Sequence, residues 1–106
     1  MIKAVITKTK DGEYKSFSCD GHAGYADKGK DIICAATSIL VINTINAIEK
    51  FSDSEILIEE KPVLKMTFVS VPDEKAKVLM DALVLGIDGI RNDNGKRYLK
   101  LVFEEV

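Results

Sequence analysis

One stretch limits the possible architectures more than any other: DIICAATSILVINTINAIEK, residues 31–50. Within it Cys34, Ser38, Val41, Ile45 and Ile48 recur at helical spacing, and Ile32, Ala35, Ile39 and Ile42 form a second stripe at the same period. A helix apolar on two sides is expected to be buried on two sides. Asp31 stands where an N-cap belongs, and Glu49 and Lys50 end the helix in water. The longest apolar run, Ile32–Ile42, is broken by Thr37 and Ser38. It is shorter than the roughly 20 residues that a bilayer span requires, so no membrane segment is expected.

The remaining chain supplies strands to cover that helix. Residues 2–9 (IKAVITKT) put Ile2, Ala4 and Ile6 on one face and Lys3, Val5 and Thr7 on the other. Asp11-Gly12 is a hairpin turn, so residues 13–20 return as the second arm with Phe17 and Cys19 on one face. Residues 55–60 and 64–71 are two more strands, separated by Lys61-Pro62, with Leu64, Met66 and Phe68 pointing inward. Pro72 stops the second of them, and Asp73 caps a helix over 74–91. Ala76, Leu79, Met80, Leu83, Ile87 and Ile90 form its apolar face; Lys77, Asp81 and Asp88 mark the wet one. Asn92-Asp93-Asn94-Gly95 turns the chain into a last strand, 97–104, with Leu99, Leu101 and Phe103 inward. The expected fold is α+β: two layers, a mostly antiparallel or mixed five-stranded sheet with two helices, in the order ββαββαβ. Its 106 residues make one small domain, 1–106.

Charge and residue counts exclude several functions. Lys plus Arg is 15 against 17 for Asp plus Glu, and the pI is about 5.4. A mildly acidic chain is a poor partner for a phosphate backbone, so no direct nucleic-acid contact is expected. The start, MIKAVITKTKDG, has a charge at Lys3 and no apolar core, so no secretory signal is expected. Cys19 and Cys34 make no disulfide framework, which suits a reducing cytoplasm. His22 is the only histidine, so one chain cannot build a two-His zinc site. Neither a metal nor a cofactor is expected.

The chemistry concentrates in GHAGY, residues 21–25, and DIICAATS, residues 31–38. With Asp31 as N-cap, Cys34 falls in the first helical turn, where orphan N–H groups and the dipole favour a thiolate. The bland alternative is a packed, inert thiol in an apolar run. His22 follows the hairpin directly and can sit beside the helix start, the arrangement needed for a Cys–His pair; alternatively it is a solvated loop histidine. Asp31 either caps the helix or orients the imidazole. Ser38, one turn after Cys34, either donates to a substrate or back-bonds within the helix. Gly21, Ala23 and Gly24 belong to a loop that could move over the site or simply turn the chain.

Gly21-His22-Ala23 followed by Asp31-Ile32-Ile33-Cys34-Ala35-Ala36-Thr37-Ser38, after an opening hairpin, resembles the ribosomal-processing cysteine proteases of the Prp family. The resemblance implies that His22 and Cys34 are the catalytic dyad, with Asp31 associated with the site. It also implies a substrate: the N-terminal extension of large-subunit ribosomal protein twenty-seven, cut after a pair of aromatic residues. His22 would deprotonate Cys34, the sulfur would attack the scissile carbonyl, and backbone N–H groups near Cys34 would hold the oxyanion. The family implies a homodimer; the second apolar stripe and Val84-Leu85 suit such an interface, or an ordinary core. Two other functions fit the same residues. A ribosome-associated binding module would need neither thiol, and a redox sensor would pair Cys34 with Cys19.

Overall fold

The computed structural model describes residues 1–21 and 28–106, with the side chains of 28–31, 94 and 95 outside the description. Strand β1 (Ile2–Lys8) pairs antiparallel with β2 (Tyr14–Asp20) through a turn in which Gly12 takes a φ of 81°. That positive φ is the reason an Asp-Gly step makes this hairpin. Helix α1 (Lys28–Phe51) follows, then β3 (Ile56–Glu59), β4 (Leu64–Phe68), α2 (Glu74–Ile90) and β5 (Leu99–Glu105). The sheet order is β3-β4-β2-β1-β5. Three pairings are antiparallel, and β5 lies parallel to β1. The order ββαββαβ and the mixed five-stranded sheet are as expected from sequence.

Alternation sets which face is covered. Ile2, Ala4, Ile6, Phe17, Cys19, Met66 and Phe68 form the buried face of the sheet, and Val41, Ile45 and Ile48 of α1 close on it. Helix α2 adds Ala76, Met80, Leu83 and Ile87, all within the expected apolar stripe. Asp73 caps α2 as predicted: its Oδ1 accepts from the Ala76 N–H at 2.8 Å and its Oδ2 from the Asp53 N–H at 2.8 Å. Those two donations hold its carboxyl below the usual carboxylate range. Arg91 closes the other end, donating to the Leu99 carbonyl at 3.2 Å and to Asp88 at 3.1 Å. The chain then leaves through a π-helical turn, Arg91–Gly95, where a plain turn over 92–95 was expected.

Four expectations need correction. Helix α1 begins at Lys28, so Asp31 is its fourth residue and not its N-cap. Once a helix is nucleated, extending it by one polar turn costs little per residue, and nothing in Lys28-Gly29-Lys30 forbids it. The second stripe of α1 is not buried: Ile32 is 66% exposed, Ile39 70% and Ile42 54%. A two-layer fold has nothing outside its helices to cover that face. Phe103 is 52% exposed rather than inward, because β5 is an edge strand and the side chain lies at its far end. Finally, the shortness of Ile32–Ile42 does not exclude a membrane span. Residues Ile32–Phe51 meet the length and composition for one, although Val41, Ile45 and Ile48 pack that helix into the core instead.

Candidate active site

Strand β2 carries the chain to the end of the sheet, and Gly21 then takes a φ of 103°. A Cβ there would lie 2.9 Å from Ile2 Cα and closer still to the Met1 carbonyl oxygen. Both obstacles are backbone, so only glycine fits at this close approach to β1. His22, Ala23 and Gly24 lie outside the described residues, as does the Asp31 side chain.

Cys34 is the seventh residue of α1, counting from Lys28, and therefore sits in the second turn. The helix-terminal field fades within the first turn, so the expected thiolate stabilisation by orphan N–H groups is not what this position provides. For the same reason the Cys34 N–H is committed within the helix and is not a free oxyanion donor. Cys34 is half-buried and packs against the edge of the core. Asp31 precedes it by three residues, which places both on neighbouring positions of one helix face. Ser38 follows by four residues and is also half-buried.

The other thiol has a different environment. Cys19 is 1% exposed, between Ala4 and Leu64 in the sheet. Burial pushes its pKa up to about 11, and the charges of Cys34 and then Asp20 add to the rise. Cys34 packs against the same core cluster that contains Cys19. Of the two residues, Cys34 is the more exposed.

A cleft of about 340 Å3 opens at this end of the sheet, with Asp20, Gly21, Glu60, Pro62, Val63 and Leu64 in its walls and Cys19 behind them. A larger cavity, about 410 Å3, lies between Phe51 and the first turns of α2. It is 17 residues along α1 from Cys34, about 25 Å at 1.5 Å per residue, and holds no nucleophile. Among the described residues no three His, Cys, Asp or Glu side chains are grouped to hold a metal.

Sequence reasoning passed over Thr37. It is fully buried one turn beyond Cys34, and its hydroxyl finds no partner among the described residues. A polar residue interrupting an apolar helix face is the signal that could have marked it.

A compact α+β domain with one reachable cysteine near the start of its long helix is compatible with thiol-dependent hydrolysis, and comparison with known proteins assigns it. Residues 1–100 match the profile of the family described as cysteine protease Prp. The chain belongs to that family and is a cysteine-type peptidase. It is 26% identical over 100 residues to the ribosomal processing cysteine protease Prp of Bacillus subtilis (strain 168), covering 88% of this chain and 89% of that one. A Staphylococcus aureus (strain Mu50) protein of the same name is 38% identical over 48 residues, 45% of each chain. Among solved structures, an essential ribosomal processing protease Prp from S. aureus, in complex with a substrate peptide, superposes with a TM-score of 0.91 at 20% identity, covering 98% of this chain and 100% of that one. SMU.848 from Streptococcus mutans gives 0.83 at 30% identity over 100% and 96%.

Proposed function

We propose that this chain is an endopeptidase that trims the N-terminal extension of a ribosomal protein, large-subunit protein twenty-seven, by cutting after an aromatic pair. The observation that carries the reading is the family match over residues 1–100, which spans both GHA and DIICAATS. In the proposed reaction Cys34 is the nucleophile and His22 the general base. The sulfur attacks the scissile carbonyl, His22 protonates the departing amine, and water releases the acyl-enzyme. Asp31, no longer a cap, acts as a positioning residue one turn before the nucleophile. Gly21, Ala23, Gly24 and Ser38 are assigned to the substrate-binding loop and substrate contact. The cytoplasm is the proposed location, in keeping with two free cysteines.

A homodimer is part of the proposal. Ile32, Ile39 and Ile42 on α1 and Val78 and Leu85 on α2 are all more than half exposed, and all lie on the helical layer. A second copy would cover them. Val84, by contrast, packs partly against the core.

The thiol-sensor reading is the weaker one. Cys19 lies near Cys34, but a buried thiol with a pKa near 11 is a poor resolving cysteine. The test of the protease reading is to mix the purified protein with the extended ribosomal protein and weigh the products. A single cut, lost when the two aromatics become alanine, supports it, with casein untouched. An uncut substrate that co-elutes with the protein favours a binding module.

A further inference from the structure

Helix α1 carries two buried threonines that behave differently. Thr44 does what a threonine inside a helix ordinarily does: its hydroxyl donates back to the Leu40 carbonyl at 2.7 Å. Thr37 is 0% exposed, yet its hydroxyl finds no partner among the described residues, not even the Ile33 carbonyl four residues before it. A buried hydroxyl without a partner destabilises a fold, and valine would fill the same space without that penalty. A threonine at this position calls for a reason.

Helix geometry supplies one. The Cα–Cβ bonds of a helix tilt toward its N-terminus, so the Thr37 side chain leans over the turn that holds Cys34, three residues before it. The β-carbons of such a pair are about 5–6 Å apart. Threonine also has two χ1 rotamers open to it in a helix, so a turn about one bond re-aims the hydroxyl. A protonated thiol is a weak acceptor, whereas a thiolate takes charge-assisted hydrogen bonds. Deprotonation of Cys34 therefore creates, beside Thr37, the acceptor that its hydroxyl lacks. The thiolate has need of such a donor. Its place in the second turn of α1 puts it beyond the helix-terminal field, and its half-buried side chain packs against the core, away from full solvation.

We propose that Thr37 is a positioning residue for the nucleophile: its hydroxyl donates to the Cys34 thiolate and holds the sulfur in its reactive form. The Cys34 proton goes to the general base, Thr37 keeps its own, and no covalent bond to Thr37 forms or breaks. This rests on Cys34 as the nucleophile of the protease reading given above.

The test follows iodoacetamide alkylation of Cys34, by peptide mapping, from about pH 6 to the alkaline plateau where the thiol is fully ionised. The readout is the plateau rate divided by the rate near pH 6. That ratio tracks the thiolate fraction and cancels changes in intrinsic nucleophilicity. Thr37→Val should raise it about tenfold, the effect of one hydrogen bond to a charged group. Thr37→Ser keeps the hydroxyl and should return the ratio to about the wild-type value. The acid limb of kcat/KM should move to higher pH in Thr37→Val and move back in Thr37→Ser. The melting temperature of Thr37→Val should equal or exceed that of the wild type, since a methyl replaces a partnerless hydroxyl. Thr37→Ala reads the same ratio if valine is not accommodated. A threonine with a structural role alone predicts an unchanged ratio, and that result overturns the proposal. So does a raised ratio that Thr37→Ser fails to reverse. Alkylation reports on the hydroxyl whether or not the protein cuts a peptide, so the expected shift in a protein that cleaves nothing counts against the protease reading alone.

Discussion

The two thiols should differ in reactivity by a margin that follows from their surroundings. Cys19 is raised from 9.0 to about 11, chiefly by burial. Two pKa units lower its thiolate fraction near pH 7.5 roughly a hundredfold relative to an unshifted thiol, because the thiolate fraction falls tenfold per unit. Its 1% exposure also denies the reagent access, so labelling must wait for local opening. Cys34 is half-buried and needs no such opening. Brief iodoacetamide treatment of the native protein, followed by peptide mapping, should therefore modify Cys34 at least a hundredfold faster than Cys19. In denaturant the difference should collapse. The same shift has a consequence for stability. A folded-state thiol pKa above the unfolded one means that the folded chain holds its proton longer, so stability falls as pH rises through the window from about 9 to about 11. Cys19→Ala should flatten that part of the curve. Tyr14, whose hydroxyl is buried and donates to Asp81, is raised as well and keeps a decline of its own at still higher pH. Native labelling of Cys19 within tenfold of Cys34 would refute the assignment of Cys34 as the reachable sulfur.

Three further substitutions test separate parts of the structure. Gly21→Ala forces a side chain to φ 103° and against the backbone of β1; strain alone costs about 1–2 kcal/mol, so the melting temperature should drop and turnover should fall further than the stability loss explains. Asp31→Ala should change stability by less than about 0.5 kcal/mol, since the helix starts three residues earlier, yet should lower kcat and alter its pH profile. Loss of about 1 kcal/mol, the usual worth of a cap, with Asn restoring it, would reinstate the capping role. Ile39→Lys places a charge on a residue 70% exposed in the single chain. It should leave the fold intact and convert the proposed dimer into an 11.7 kDa species, and an unchanged dimer mass would show that this face is not the interface.

Much of this fold could be read before any coordinates because its local signals agree with its tertiary needs. Asp11-Gly12 marks the hairpin and Asp73 marks the start of α2, each by a side-chain or backbone requirement confined to a few residues. The start of α1 could not be read the same way. Its first turn, Lys28-Gly29-Lys30-Asp31, is wholly polar or glycine, so no apolar period announces it. Aspartate is favourable both as a cap and inside a first turn, and the two roles look alike in sequence. The second stripe of α1 failed for another reason. Periodicity reports that Ile32, Ile39 and Ile42 share a face but not what covers it, and a two-layer chain of this size has nothing left to do so.

The site shows the same division between local and long-range causes. Cys34 and the glycine before His22 are visible as residues, but their environments depend on elements far away in the chain. Gly21 is required because β1 passes within 2.9 Å of where its Cβ would be, a contact between residue 21 and residue 2. Cys19 is held inert by its place between Ala4 and Leu64, a strand order set by the whole sheet. The cleft likewise joins the end of β2 to residues 60–64, forty positions later. A sequence window can propose a nucleophile from residue type; it cannot separate a reachable sulfur from a buried one until the sheet order is known. That separation is the reason the proposed nucleophile is Cys34 rather than Cys19, and it makes the labelling ratio of the two thiols a direct measure of whether the sheet is assembled as described.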